Sequence, residues 1–327
     1  MQEVALENLI FDRTVPFEER ALRLFQFQYH EVDVYQTFCQ HLGCSIDRVT
    51  DISSIPFLPI ELFKNHKIIA KGQPIQHVFE SSGTTGEVTS SHYVASLEVY
   101  KKSIFNGFLN ALDHPKEFCI LALLPAYLER ENASLVYMAD YLMKESGHPK
   151  NGFYLTNYDA LVEQLQVLEA EGQPTLLIGV TFALLDLAEQ YSFPLNHTTI
   201  IETGGMKGRR KEITRAELHS TLYSAFAGVT ISSEYGMTEL LSQAYLEQDG
   251  YFKPASTMQV IPRELNDPLS LSAFGKTAAL NIIDLSNMYS CAFIATQDIG
   301  KVYSDGRFEV LGRMDHSDLR GCNLMVV

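Results

Sequence analysis

The sequence is short of positive charge, of long apolar runs and of closely spaced cysteines. Its 327 residues carry 25 Lys and Arg against 40 Asp and Glu, a formal net charge of -15. Nucleic acid and anionic membrane surfaces attract basic patches, so neither is an expected partner. A nucleotide ligand would need its positive groups gathered locally. No run of eighteen or more apolar residues occurs, so no membrane span is expected. The start, Met1-Gln2-Glu3-Val4, lacks the basic-then-apolar pattern of a secretory leader. Five cysteines (Cys39, Cys44, Cys119, Cys291 and Cys322) include no C-x-x-C pair and are odd in number. Reduced thiols in a cytoplasmic protein are the expectation, with Cys119 and Cys291 in the core. A Walker phosphate loop is missing too, because no glycine-rich stretch ends in G-K-[ST].

What is present is a chain 46% hydrophobic, enough for a substantial core in one large domain or two. Helical spacing from Pro16 to His41 stops at Gly43, and the two prolines of Ile55–Ile60 dictate an extended segment. From Val94 to Ser232 helical stretches alternate with short apolar runs, at Cys119–Leu124, Thr175–Gly179, Thr198–Ile201 and Gly228–Ser232. Thr214-x-x-Glu217 opens one helix with a capping box. This alternation predicts an α/β fold, with mostly parallel sheets flanked by helices. After about Leu240 the helices stop. Short strands are expected at Met258–Ile261, Ala279–Ile283, Ala292–Ala295, Lys301–Tyr303 and Phe308–Leu311, with a hairpin turn at Ser304-Asp305-Gly306. The expected division is an α/β core over residues 1–240 and a smaller β-rich subdomain over 241–327.

Five short motifs carry chemistry. Ser81-Ser82-Gly83-Thr84-Thr85-Gly86 concentrates hydroxyls and glycines, which suits close approach to an anion; alone it also reads as a polar surface loop. Tyr235-Gly236-Met237-Thr238-Glu239 follows a predicted strand and so falls at a carboxyl edge, where open α/β sheets bind ligands. There Thr238 suits a phosphate and Glu239 a hard cation such as Mg2+, although the same residues suit an ordinary strand-to-helix turn. Asp298 suits a ribose or a solvated turn. Arg313 suits a phosphate or carboxylate, or else a surface ion pair worth little. Cys322 suits an acyl acceptor or an incidental tail thiol. The basic run Met206–Lys211 reads as a solvated loop or as local positive charge near Gly204-Gly205.

In their order these motifs resemble the adenylate-forming superfamily of acyl- and aryl-CoA ligases and firefly luciferase. The family's phosphate loop, [ST]-S-G-T-T-G-x-P-K, is kept from Ser81 to Gly86, with Val88 and Thr89 in place of the proline and lysine. Tyr235 to Glu239 match Y-G-x-T-E. Gly204 and Gly205 match the glycines passing the adenine. Asp298 matches the ribose aspartate of T-G-D, with Gln297 for the glycine, and Gly312-Arg313-Met314-Asp315 matches the start of the G-R-x-D hinge. The resemblance, over roughly residues 50 to 320, implies ATP and Mg2+ as cofactors, with Glu239 as the metal ligand.

The sequence ends at Val327, so the lid domain with its catalytic lysine is expected to be absent. Ile55–Ile60, Leu124–Arg130 and Arg320-Gly321-Cys322 resemble a narrower branch, the LuxE-type acyl-protein synthetases of fatty-acid reductase complexes. That resemblance implies adenylation of a fatty acid, capture of the acyl group on Cys322 and delivery to an acyl reductase. Joining a carboxylate to AMP supplies a leaving group, and a thiolate then forms a reactive thioester. Arg313 and Arg320 would favour the thiolate. The nine residues from Arg313 to Cys322 reach about 30 Å when extended. Two alternatives stand beside this: a CoA ligase served by a separate lid, and a non-catalytic acyl carrier or scaffold.

Overall fold

Apolar residues at helical spacing shape the N-terminal part of the chain, seen in a computed structural model that describes residues 2–81, 89–125, 132–204 and 213–314. Three helices come first, α1 (Gln2–Phe11), α2 (Phe17–Glu31) and α3 (Asp33–His41). In α2 the buried Ala21, Leu24, Phe25 and Gln28 form one stripe, as an i, i+3, i+4, i+7 pattern requires. The single helical run expected from Pro16 is two helices, because Val32 takes an extended backbone (φ -109°, ψ 98°) between them. Strand β1 (Leu58–Pro59) follows from the two-proline segment and runs parallel to a later strand. After α4 (Leu62–Asn65), strands β2 (His77–Glu80) and β3 (Ser91–Val94) pair as an antiparallel hairpin of their own. Helix α5 (Leu97–Ala111) starts at Ser96, whose hydroxyl accepts from the Val99 N–H.

The middle of the chain then alternates: β4 (Cys119–Leu123), α6 (Ser134–Ser146), β5 (Gly152–Tyr154), α7 (Tyr158–Glu171), β6 (Thr175–Val180), α8 (Thr181–Gln190), β7 (Thr198–Thr203), α9 (Arg215–Ala225) and β8 (Thr230–Tyr235). Every residue of β4 and β6 is buried, as expected of parallel strands covered on both faces. The Thr214–Glu217 capping box forms as the sequence predicts. Beyond β8 come only strands and short turns among the described residues: β9 (Ala244–Leu246), β10 (Phe252–Pro254), β11 (Met258–Arg263), β12 (Thr277–Asp284), β13 (Phe293–Val302) and β14 (Phe308–Arg313). Gly306, at φ 87°, turns the β13–β14 hairpin. Two strands expected separately, at Ala292–Ala295 and Lys301–Tyr303, are one strand, β13. The polar Thr296-Gln297-Asp298 that seemed to divide them continues the ladder, with Thr296 and Asp298 buried inside it.

Among the described residues, twelve strands join one sheet in the order β11-β12-β13-β14-β10-β9-β8-β7-β6-β4-β5, with β1 beside β13. Strands β4 to β8 are parallel, and β8 meets β9 antiparallel. The core lies in two clusters. One packs helices onto the parallel half. The other joins α2 and α3 to β11–β13, with Phe25, Tyr35 and Phe293 ring against ring. No described helix is long and apolar enough to cross a membrane.

Candidate active site

Because β4, β6, β7 and β8 run parallel, their C-terminal ends share one edge of the sheet. Gly204 follows β7 at that edge, and Tyr235-Gly236 stand at the end of β8. A Cβ on Gly236 would lie 2.3 Å from Glu234 Oε1, so glycine leaves room for that carboxylate. The segment does not lead into a helix, contrary to one expectation. Residues 238–239 form a turn and the chain returns as β9, antiparallel to β8. One backbone bond, from the Leu240 N–H to the Met237 carbonyl at 3.1 Å, closes the turn, and side chains from elsewhere take other backbone groups.

Tyr235 and Asp298, far apart in sequence, meet directly. The Tyr235 hydroxyl donates to Asp298 Oδ2 at 2.7 Å, and Arg313 Nε donates to Asp298 Oδ1 at 3.0 Å. Strand register explains the second contact, since Asp298 on β13 faces Arg313 on β14. Asp298 is only 5% exposed, so it is neither a turn residue nor solvated. Burial, reinforced by the neighbouring Asp298, pushes the Tyr235 hydroxyl far above its usual range and keeps it a donor. The Arg313 side chain is 70% exposed, leaving its guanidinium open to a ligand.

Glu239 lies in the same neighbourhood. It is 6% exposed, and burial raises its carboxyl above the usual range against the opposing effects of a Ser90 hydroxyl bond and the Arg313 charge. Ser90 and Ser81 bracket the hydroxyl-rich loop. The Ser81 N–H donates to the Ser90 carbonyl at 3.0 Å, and the Ser90 N–H donates to Ser81 Oγ at 2.9 Å. Two residues along β3, His92 Nδ1 lies 2.8 Å from the Thr238 carbonyl. The structure thus joins Tyr235, Asp298 and Arg313 by direct hydrogen bonds and Ser81 to Ser90, and it places Glu239, next to Thr238, within electrostatic reach of Ser90, Arg313 and Asp298. Ser82, Gly83, Thr84, Thr85, Gly86, Gly205 and Cys322 lie outside the described residues, as do the Met206–Lys211 run and Arg320.

Ser90, His92, Glu234, Asp284 and Asn287 were not singled out from the sequence. A signal for two of them existed. Ser90, His92 and Val94 are the buried positions of an alternating strand, and polar residues on the inward face need partners. Glu234 carries another raised carboxyl at this edge. Burial pushes it up to about 7, helped by the Glu202 charge and resisted by the Thr203 hydroxyl, which donates to it at 2.5 Å. Tyr235 and Glu234 point to opposite sides of β8, so the strand end presents the Tyr235–Asp298–Arg313 network on one face and the raised Glu234 carboxyl on the other.

The chain is 25% identical over 330 residues to a long-chain-fatty-acid–luciferin-component ligase of Vibrio harveyi, spanning 92% of this chain and 84% of the relative. A protein of the same description from Aliivibrio fischeri is 26% identical over 334 residues, spanning 92% and 85%. Among solved structures, a 2-hydroxyisobutyryl-CoA ligase in complex with 2-HIB-AMP and CoA superimposes with a TM-score of 0.69. That match covers 96% of this chain and 69% of the other at 11% identity, and it shows a shared fold. The family model for acyl-protein synthetase, LuxE, matches residues 11–327. With nearly the whole length matched, the chain belongs to the LuxE family of acyl-protein synthetases.

Proposed function

We propose that this synthetase joins a long-chain fatty acid to AMP at the carboxyl edge of β8 and then moves the acyl group onto its own Cys322. The observation that carries this reading is the cluster of Glu239, Tyr235, Asp298 and Arg313 beside the Ser81 and Ser90 ends of the hydroxyl-rich loop. In the first step a carboxylate oxygen of the acid attacks the α-phosphorus of ATP, and pyrophosphate leaves. In the second the Cys322 thiolate attacks the acyl carbon, a thioester forms and AMP leaves. The thioester then passes to an acceptor protein, an acyl reductase in this reading.

Each described side chain has work in the first step. Asp298 keeps lone pairs for ribose hydroxyls while Tyr235 and Arg313 hold both its oxygens in place. Arg313 offers its exposed N–H groups to the phosphates, and Thr238 offers its hydroxyl. Among the described residues no group of three or more His, Cys, Asp or Glu side chains gathers as a metal cage. Glu239 nevertheless fits Mg2+, which is commonly held by one or two carboxylates together with substrate phosphates. A bound cation would also favour the charged form that burial opposes. When present, Mg2+ would neutralise charge on the triphosphate.

The test is to incubate the protein with radiolabelled long-chain acid, with and without ATP and CoA. Label should enter protein only with ATP, regardless of CoA, and hydroxylamine should release it. Label appearing only in soluble acyl-CoA would favour CoA ligation. No label in either form, with no pyrophosphate exchange, would leave a carrier or scaffold.

Asp298→Ala should raise the KM for ATP by at least about tenfold while changing that for the acid less than about threefold, because one charge-assisted ribose contact is lost. Exchange kinetics with each substrate varied in turn measure this. Equal losses for both, together with a lower melting temperature, would mean that the change only loosens the sheet and leaves the buried Tyr235 hydroxyl unpaired.

A further inference from the structure

The Thr238–Ser242 backbone is neither helix nor strand, yet side chains from three other places in the chain hold it. His92 Nδ1 meets the Thr238 carbonyl at 2.8 Å, and Asn287 Nδ2 donates to the Glu239 carbonyl at 2.7 Å. Asp284 Oδ2 accepts from the Leu241 and Ser242 N–H groups at 2.7 and 2.8 Å. Three successive anchors therefore fix the peptide planes on either side of Glu239.

His92 is the anchor nearest the chemistry. A carbonyl only accepts, so the ring proton sits on Nδ1, and Nε2 takes the Ser290 hydroxyl at 2.9 Å. Phe63 packs edge-on against the ring at 5.7 Å. With both nitrogens bonded and a face covered, the imidazole cannot turn without losing two hydrogen bonds. Two residues earlier, just before β3, the Ser90 hydroxyl is close enough to the Glu239 carboxylate to lower its pKa. The segment Ser90–His92 thus faces both the backbone and the side chain of the Thr238-Glu239 pair. Asn287 supports the same reading. It spends its amide on the Glu239 and Cys291 carbonyls, while its Oδ1 has no partner among the described residues. A buried acceptor left unpaired carries a desolvation cost that a residue present only for packing would avoid.

We propose that His92 is a positioning residue for adenylation, clamping the Thr238 carbonyl so that the Thr238 hydroxyl and the Glu239 carboxylate face the triphosphate. The proposal rests on the adenylation reading above. It concerns alignment of groups already at the site, so its loss should be felt in turnover more than in nucleotide affinity. Tyr235, Asp298 and Arg313, which hold the nucleotide in that reading, do not touch His92.

Three variants separate alignment from packing. His92→Leu keeps volume and loses both bonds. His92→Asn keeps an N–H close to the place of Nδ1, and His92→Gln places its amide near that of Nε2. In acid-dependent pyrophosphate exchange, His92→Leu should lower kcat by about 10- to 100-fold while the KM for ATP moves less than about threefold. His92→Asn should recover to within about fivefold of the parent, and His92→Gln should stay near the leucine variant. Should the leucine protein not fold, the contrast of Asn over Gln carries the test alone. Turnover in His92→Leu within about threefold of the parent would overturn the proposal. So would equal impairment of Asn and Gln in step with their melting temperatures. No exchange in the parent protein would remove the adenylation reading first and the positioning role with it.

Discussion

Glu239→Gln should reduce acid-dependent pyrophosphate exchange on the order of 10²- to 10³-fold with little change in melting temperature. The substitution keeps shape, and the amide oxygen still accepts from Ser90. What disappears is a negative charge buried near Asp298 and Arg313. The sign of the accompanying effect on ATP distinguishes two roles. A purely structural carboxylate repels the triphosphate, so its removal would tighten ATP binding and leave exchange intact. A carboxylate that holds Mg2+ against the phosphates acts the other way, and the variant should then need more Mg2+ for any residual exchange. Exchange within tenfold of the parent, at unchanged Mg2+ demand, would move the cation elsewhere or remove it from the mechanism.

The second large effect is expected from Cys322→Ser, which should keep pyrophosphate exchange yet carry no hydroxylamine-sensitive acyl label. A serine hydroxyl is far less ionised near neutral pH and gives a less reactive ester. The other thiols are poor substitutes. Burial pushes Cys39 up to about 12 and Cys119 up to about 11 and raises Cys291 and the half-buried Cys44 as well. At pH 7 a thiol near 11 is ionised in roughly one molecule in 10⁴. Mass-spectrometric mapping of the label decides the matter. Thioester label persisting in the variant would shift the acceptor to another cysteine and take away the main reason to choose protein acylation over CoA ligation.

The alternation of helices and buried strands from Val94 to Ser232 was legible because parallel strands read as apolar runs and helices carry their own caps. The motif residues were legible because glycines, hydroxyls and acids in a fixed order are rare by chance. Their mutual bonds were not. Nothing local says that Asp298 sits opposite Arg313, since that depends on the register of β13 and β14, and the polar Thr296-Gln297-Asp298 looked like a break. His92, Asn287 and Asp284 were missed for a related reason. Each is a single polar residue with no spacing to its partner, and its meaning comes from a carbonyl or N–H more than forty positions away.

The closing of this chain onto itself bears on how it is made. Gln28 of α2 donates to the carbonyls of Asn287 and Met288 and accepts from the Ala292 N–H, across 259 to 264 positions of sequence. Helices α2 and α3 can pack Phe25 against Tyr29 and Tyr35 early, but they lack the β11–β13 side of their core until those strands have been synthesised. Contacts of such long range are slow to form, because the loop must close before any gain is returned. Asn287, which anchors Glu239, belongs to that last closure. The parallel half can assemble as it emerges, whereas the Thr238–Glu239 turn gains its Asn287 anchor only when α2 and the β12–β13 connection have met.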